Sequence, residues 1–275
     1  MSSPAKALQP TTRAYFCGKR GYAMMLDLQE RLFRQRIDAI LNKSSTCLPD
    51  TILAVEHSEP VYTIGRRDTS AGLNSPQNEL PIETFKTKRG GGITWHGPGQ
   101  LTMYPVANIQ SWWAASTMPN KNPSPIRWYS DVLEGAMGGT VEAFGVPTER
   151  RCVGLWVPSA GGAESSRKVG SVGLQLSNWI SMHGVGLNVS NDLKYFDRVV
   201  MCEMPDKRAT SLHTEMIARS ISSPPLPSVE EVWPTLLASF ASNLHVEGFH
   251  AQEFNASSWS DNDLIASVLQ NSKQS

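Results

Sequence analysis

No stretch of the 275 residues approaches the roughly 18 consecutive apolar positions that cross a bilayer, so the sequence offers no membrane-spanning helix. An excess of one charge is also lacking: Lys+Arg and Asp+Glu each total 25, for a formal net charge of zero. A nucleic-acid binder is expected to carry a basic surplus, so the balance argues against that class while leaving room for a local basic patch that receives an acidic protein. Cysteine is sparse. Cys17, Cys47, Cys152 and Cys202 are scattered with no C-x-x-C pair, which argues against a zinc site and against a disulfide framework. They read as thiols of a reducing compartment. No internal repeat and no linker divides the chain into two halves with separate cores. One domain with decorated loops is the reading, at 40% hydrophobic and 18% charged residues, ordinary for a globular protein. Acid is absent from the first 26 residues, which hold Lys6, Arg13, Lys19 and Arg20 and no carboxylate before Asp27. That is the composition of a mitochondrial transit peptide and equally of a short disordered tail.

What is present begins with helical periodicity. In residues 22–43, Met25, Leu28, Leu32, Ile37, Ile40 and Leu41 recur near 3.6-residue spacing with charges opposite. Two β-rich runs, 51–57 and 61–65, flank Glu59-Pro60 and suit adjacent strands. Residues 100–109 form another strand, 120–125 a proline loop, and 126–145 a second helix weakened by Gly138 and Gly139 and stopped by Gly145. Strands follow at 151–157, 168–176 and 178–189. Ser228 with Glu231 signals a capping box for a helix reaching about Leu244, with Pro234 as a kink or a later start, and 261–270 is a weaker helix before a polar tail. The sum is a mixed α/β fold of about eight strands with flanking helices. Its parts are residues 1–20 as a candidate targeting or disordered segment, 21–250 as the single main domain, and 251–275 as weak helix and tail.

The segment RGGGITWHGPGQL, residues 89–101, sets five glycines and a proline around Thr94, Trp95 and His96. Each glycine costs folding entropy and permits close backbone approach, so such density suits a ligand cradle better than a plain turn. Further on, Lys168 opens KVGSVGLQL, His183 stands in MHGVGLNV, and Cys202 follows an apolar run before Pro205. Each alone has an ordinary explanation: a solvated lysine, a hydrogen-bonded core histidine, a buried structural thiol. A nucleophilic cysteine needs a cation or base nearby to become thiolate, and Lys168 is the candidate cation.

Together, RGGGITWHGPGQL, RKVGSVG, HGVGLNV and a cysteine followed shortly by TSL resemble the lipoyl(octanoyl) transferase family. EHSEPVYTIG, with Tyr22 and Gln29 in the first helix, extends the likeness from about residue 20 to about 215. The resemblance implies a biotin/lipoate protein ligase-like catalytic domain. It implies Cys202 as nucleophile and acyl carrier, with Lys168 lowering its pKa and handling protons. Substrate contacts are implied for Arg89, Gly90, Gly91, Gly92, Ile93, Thr94, Trp95 and His96, for Ser171, Val172 and Gly173, and for Gly184, Val185 and Gly186. Trp95 is expected to stack on the acyl chain, and the loop N–H groups to stand free near the thioester carbonyl.

The implied reaction moves an octanoyl group from octanoyl-acyl carrier protein, through a Cys202 thioester, to a lysine of lipoyl domains. The acceptors would be the lipoyl domains of 2-oxoacid dehydrogenase complexes and the glycine cleavage H protein. No cofactor, metal, nucleic acid or membrane is implied, and the setting is mitochondrial, with cytoplasm as the alternative. Glu203 departs from the family, where glycine commonly follows the cysteine, and a carboxylate there opposes ionisation unless it turns outward or pairs with Lys207 or Arg208. The loops at 114–125 and 158–167 are longer than in compact members. Two other readings stand beside this one: an ATP-dependent lipoate or biotin protein ligase, and a non-catalytic module that binds acyl groups or proteins.

Overall fold

The computed structural model describes residues 12–43, 48–67, 82–159, 165–199 and 207–270. The chain opens with β1 (Thr12–Arg20), crosses through helix α1 (Tyr22–Leu41) and returns as β2 (Thr51–His57), parallel to β1. A helix is the usual connection between parallel neighbours, and α1 earns its place by burying Met25, Leu28 and Leu32 on the sheet. Around this unit stand β6 (Gln100–Val106), β7 (Leu155–Val157), β8 (Arg167–Ser177), β9 (Ile180–Asn188) and β10 (Ala251–Asn255), giving a seven-stranded mixed sheet in the order β10-β1-β2-β6-β9-β8-β7. Odd and even positions of the central strands feed two cores. Tyr15, Cys17, Leu53, Val55, Tyr104 and Val106 pack beneath α1 and α6 (Asp261–Gln270). Ala14, Phe16, Ile52, Ala54, Leu101 and Met103 pack beneath α3 (Pro125–Ala143) and α5 (Val229–Leu244). A sheet covered on both faces reads as continuous apolar runs, such as the wholly buried β6.

A second, three-stranded sheet lies beside it in the order β4-β3-β5, from β4 (Glu83–Lys86), β3 (Val61–Ile64) and β5 (Ile93–His96). The sequence suggested that 51–57 and 61–65 are neighbouring strands; they belong to different sheets. Both edges of β2 are already taken, by β1 and β6, so Glu59-Pro60 is a crossing between sheets and not a hairpin turn.

Residues 12–20, placed by composition in the targeting or disordered segment, are an interior strand paired on both sides, with Ala14, Tyr15, Phe16 and Cys17 buried. Residues 251–255, assigned to the tail, are its other neighbour β10, a polar edge strand without an alternating pattern to announce it. Ten strands therefore replace about eight among the described residues. The run 151–157 is strand only over its last three positions. Two short helices went unread, α2 (Ile109–Ala115), capped by Asn108, and α4 (Leu212–Ala218), capped by Ser211.

Two other doubts resolve through packing. Of the glycines that weaken α3, Gly139 is where α5 approaches, since a Cβ there would meet the Ser239 Oγ at 2.5 Å, and Gly138 faces Thr148 and Leu155. Helix α5 runs unbroken through Pro234 and carries the expected Ser228/Glu231 capping box.

Candidate active site

The glycine stretch leaves β4, turns over residues 89–92 and enters β5. Its carbonyls are pinned by three successive amides: Gly65 N–H donates to Gly92, Arg66 to Arg89 and Arg67 to Gly91. Gly91 sits at φ +87°, which a side chain would strain. The Gly90 N–H donates to the Leu174 carbonyl at 2.8 Å, fastening the turn to the edge of β8 that β7 leaves uncovered. That amide is spent on the scaffold, in contrast to the expectation that loop N–H groups stand free. The Arg89 guanidinium, buried, donates to the Thr63 carbonyl at 2.7 Å, the Thr63 hydroxyl at 2.8 Å and the Gly90 carbonyl at 3.0 Å. A residue expected to touch substrate thus also ties the glycine turn to strand β3.

Beneath this turn lies a cavity of about 330 Å³. It is lined by residues 89–94, His96, Lys168, 171–174 and 183–186, so three glycine-bearing segments far apart in sequence share one wall. Trp95 is the exception. Strand alternation sends its ring to the opposite face from Thr94 and His96, where it stacks on Tyr195 at 5.1 Å and meets Phe196 edge-on. It is fully buried in a separate cluster with Val199, so its expected stacking on an acyl chain is replaced by stacking on the 3-10 helix Leu193–Arg198.

The far end of the cavity is aromatic, with the buried Arg89 guanidinium close enough to act on Tyr22, His96 and His183. Tyr22 stacks on His96 at 5.9 Å and tilts against His57 and Phe85. His57 Nε2 and the Tyr104 hydroxyl lie 2.7 Å apart. Burial drives the pKa of His57 down to about 3, His96 to about 4 and His183 to about 3, so all three imidazoles are neutral at pH 7. Burial likewise pushes the Tyr22 hydroxyl up to about 12.

The tautomer of His96 follows from a chain of bonds. The Thr210 carbonyl can only accept, so Asn188 presents its NH₂ there at 2.9 Å. Asn188 Oδ1 then accepts from Gln100 Nε2 at 2.9 Å, which turns Gln100 Oε1 toward His96 to accept from Nδ1–H at 2.7 Å. Nε2 of His96 therefore carries the lone pair. Gly99, at φ +81° with Asn191 backbone 2.5 Å from where its Cβ would be, sets the turn that lets Gln100 begin β6.

Lys168 occupies the other end, six positions along β8 from Leu174, which pairs with His183. Its side chain is buried, with Nζ donating to the Val153 carbonyl at 3.2 Å and lying 5.6 Å over the Trp156 ring. The turn carrying Val153 is itself held: Glu134 of α3 accepts from Gly154 N–H at 2.7 Å. Lys168 N–H donates to the Arg208 carbonyl, and Thr210 N–H to the Lys168 carbonyl, both at 2.9 Å. Cys202, with Glu203, lies outside the described residues, as does Cys47. Of the other thiols, Cys17 is buried, its pKa pushed up to about 12 by that burial, and Cys152 is exposed.

Sequence reasoning missed several wall residues. Tyr104 lies in a strand whose apolar run hides it, and Ile126, Ser130 and Val153 come from segments without a motif. Gln100 is the last letter of the HGPGQ phrase and its position carried the signal.

Residues 21–241 match the model of the lipoyl protein ligase A/B catalytic domain. A mitochondrial octanoyltransferase of Arabidopsis thaliana is 32% identical over 237 residues, covering 84% of this chain and 88% of the relative. An octanoyltransferase of Corynebacterium efficiens is 36% identical over 202 residues, 72% of this chain and 71% of the relative. Among solved structures, a bipartite lipoate protein ligase of Thermoplasma acidophilum aligns with TM-score 0.57 at 13% identity, covering 95% of this chain and 92% of that one. A P. falciparum protein in complex with lipoate aligns with TM-score 0.58 at 9% identity, over 95% of this chain and 70% of that one. At such identities the structural likeness establishes the fold.

Proposed function

The chain belongs to the lipoyl protein ligase A/B catalytic-domain family, and from that premise we propose that it works as an octanoyltransferase through a cysteine thioester. The observation that carries this reading is that Lys168 and the three glycine-bearing segments line a single cavity whose other end is walled by tyrosine and neutral imidazole side chains. The relatives named octanoyltransferase support the reaction class.

In the proposed reaction the Cys202 thiolate attacks the acyl carbon of octanoyl-acyl carrier protein. A new C–S bond forms, the old one breaks, and the carrier's sulfur leaves and takes up a proton. An acceptor lysine amine then attacks the acyl-enzyme; the amide C–N bond forms, the C–S bond breaks, and the proton lost by the amine returns to the Cys202 sulfur. The activation comes from the incoming thioester, so no ATP is consumed.

Lys168 supplies the cation. Lowering a thiol pKa by one to two units raises its thiolate share at neutral pH from a few per cent to roughly a quarter or more. In sequence, Cys202 stands six residues before Arg208, whose carbonyl holds Lys168. Burying an eight-carbon tail contributes about 5 kcal/mol toward choosing octanoyl over short acyl groups.

The proposed acceptors are lipoyl domains, including those of 2-oxoacid dehydrogenase complexes and the glycine cleavage H protein. The proposed location is the mitochondrion, supported by the Arabidopsis relative. The acid-free amino terminus supports it less than its composition suggested, because Arg13, Lys19 and Arg20 belong to β1. The test is transfer from octanoyl-acyl carrier protein to a lipoyl domain in ATP-free buffer. Octanoyl-lysine is the expected product, and an absolute requirement for ATP would point to a ligase instead.

A further inference from the structure

Val153 and Ile126 line the cavity and are also exposed, by 57% and 46%, so they mark where it meets solvent. The Val153 carbonyl accepts from Lys168 Nζ at 3.2 Å, which sets the amine one residue's depth beneath that surface.

Arginines surround the apolar pair. Arg150 and Arg151 come shortly before Val153 and are exposed, as is Arg127, which follows Ile126 at the start of α3. Helical spacing puts Arg127, Asp131 and Gly135 in one row, beside the row of Ile126, Ser130 and Glu134 that faces the cavity and its rim. Arg150 lies on the first row: its Nη2 donates to the Asp131 carbonyl at 2.9 Å and stands 2.7 Å from where a Cβ on Gly135 would be. Burial raises the Glu134 pKa, and the Gly154 amide, Arg150 and Lys168 are all near enough to oppose the rise. Beside the glycine turn, Arg67 is exposed and lines the same cavity. Among the described residues Asp131 and Glu149 stand with these four cations, a local positive surplus in a chain of zero net charge. An apolar centre ringed by arginine is the anatomy of a protein interface.

We propose that this rim docks the acceptor domain, through a face that presents its target lysine among carboxylates. The inference rests on the octanoyltransferase reading and adds where the acceptor lands and what it must display. Reach selects the acceptor over the donor. A lysine amine ends a four-carbon stem, so the acceptor's backbone has to settle on the residues directly above Lys168. The donor carries its thioester on a flexible arm and can sit farther off. Carboxylates on the acceptor steer its encounter with the arginines, and Ile126 and Val153 give it apolar area to bury.

The experiment separates the two half-reactions. Wild type, Arg127→Glu, and Arg127→Glu combined with Arg150→Glu are loaded from octanoyl-acyl carrier protein, and the adduct is weighed by intact mass spectrometry. The loaded proteins then meet an unmodified lipoyl domain of a 2-oxoacid dehydrogenase or hydroxylamine, a nucleophile too small to need docking. Transfer to the lipoyl domain should slow about tenfold in the double variant, the scale of electrostatic steering. Added salt should slow wild type and barely touch the variant. Loading and the hydroxylamine rate should match wild type. A lipoyl domain whose carboxylates nearest the target lysine are changed to lysine should recover rate with the double variant. Arg127→Glu leaves the contact between Arg150 and Asp131 in place, so it should show a smaller loss in the same direction even if the double variant unfolds. Undiminished transfer in folded variants overturns the proposal. Slower loading with normal transfer does so too, by giving the rim to the donor, and so does a slowed hydroxylamine reaction, by placing the arginines in the chemistry. A wild-type protein that never loads would instead defeat the octanoyltransferase reading.

Discussion

Lys168 gains its place from groups that are not reactive themselves: the Val153 carbonyl on its Nζ, the Glu134 carboxylate holding the next residue's amide, and the Arg208 carbonyl on its backbone N–H. A cation fixed in this way favours a neighbouring anion without having to reorganise when it forms. Lys168→Ala should therefore raise the apparent pKa of the Cys202 thiol by about one to two units. The rate of alkylation against pH reads this directly, in a Cys152→Ser background because Cys152 is exposed. Cys17 will not interfere, since its buried thiol stays protonated over the working range. An unshifted profile would remove Lys168 from its role.

The elements that carry the site were legible to different degrees, and the reasons are physical. Helix α1 and the α5 capping box announce themselves because they are local patterns: a 3.6-residue apolar stripe and a reciprocal pair three residues apart. The crossing between sheets at Glu59-Pro60 left no such mark, because which strand pairs with which depends on edges supplied by distant segments. Strand β1 was hidden by its basic ends, and polar β10 by its exposure at the sheet's edge. Among site residues, the glycine-rich segments were readable as motifs, whereas the facing of Trp95 depended on strand register and on the 3-10 helix beneath it. The account of β1 makes a clear demand. A chain starting at residue 12 keeps the whole of β1 and serves as the reference. One starting at residue 21 loses an interior strand hydrogen-bonded on both sides and should fail to melt cooperatively. Circular dichroism on heating checks this, and matching melts for the two truncations would contradict it.

Across the whole molecule, a neutral imidazole cluster has a consequence for stability. His57, His96 and His183 have folded pKa values of about 3 to 4 against an ordinary 6.5. Between those limits the unfolded chain takes up protons that the folded one refuses, so stability is complete above pH 6.5 and falls with acidification toward pH 4. Each histidine contributes about 1.4 kcal/mol of loss per pH unit below 6.5. The Tm should therefore drop steeply over that range, and a flat Tm from pH 6.5 to 4.5 would contradict the cluster's burial. The fold as a whole serves to bring an amine, a glycine-lined wall and an aromatic terminus into one cavity, on segments that run from Tyr22 to Gly186. Intact mass spectrometry with peptide mapping, after incubation with octanoyl-acyl carrier protein, tests the chemistry proposed for it most directly. A single octanoyl adduct on the Cys202 peptide, absent from Cys202→Ser, is the predicted result; an unmodified wild-type protein, or an adduct confined to Cys152, would contradict it.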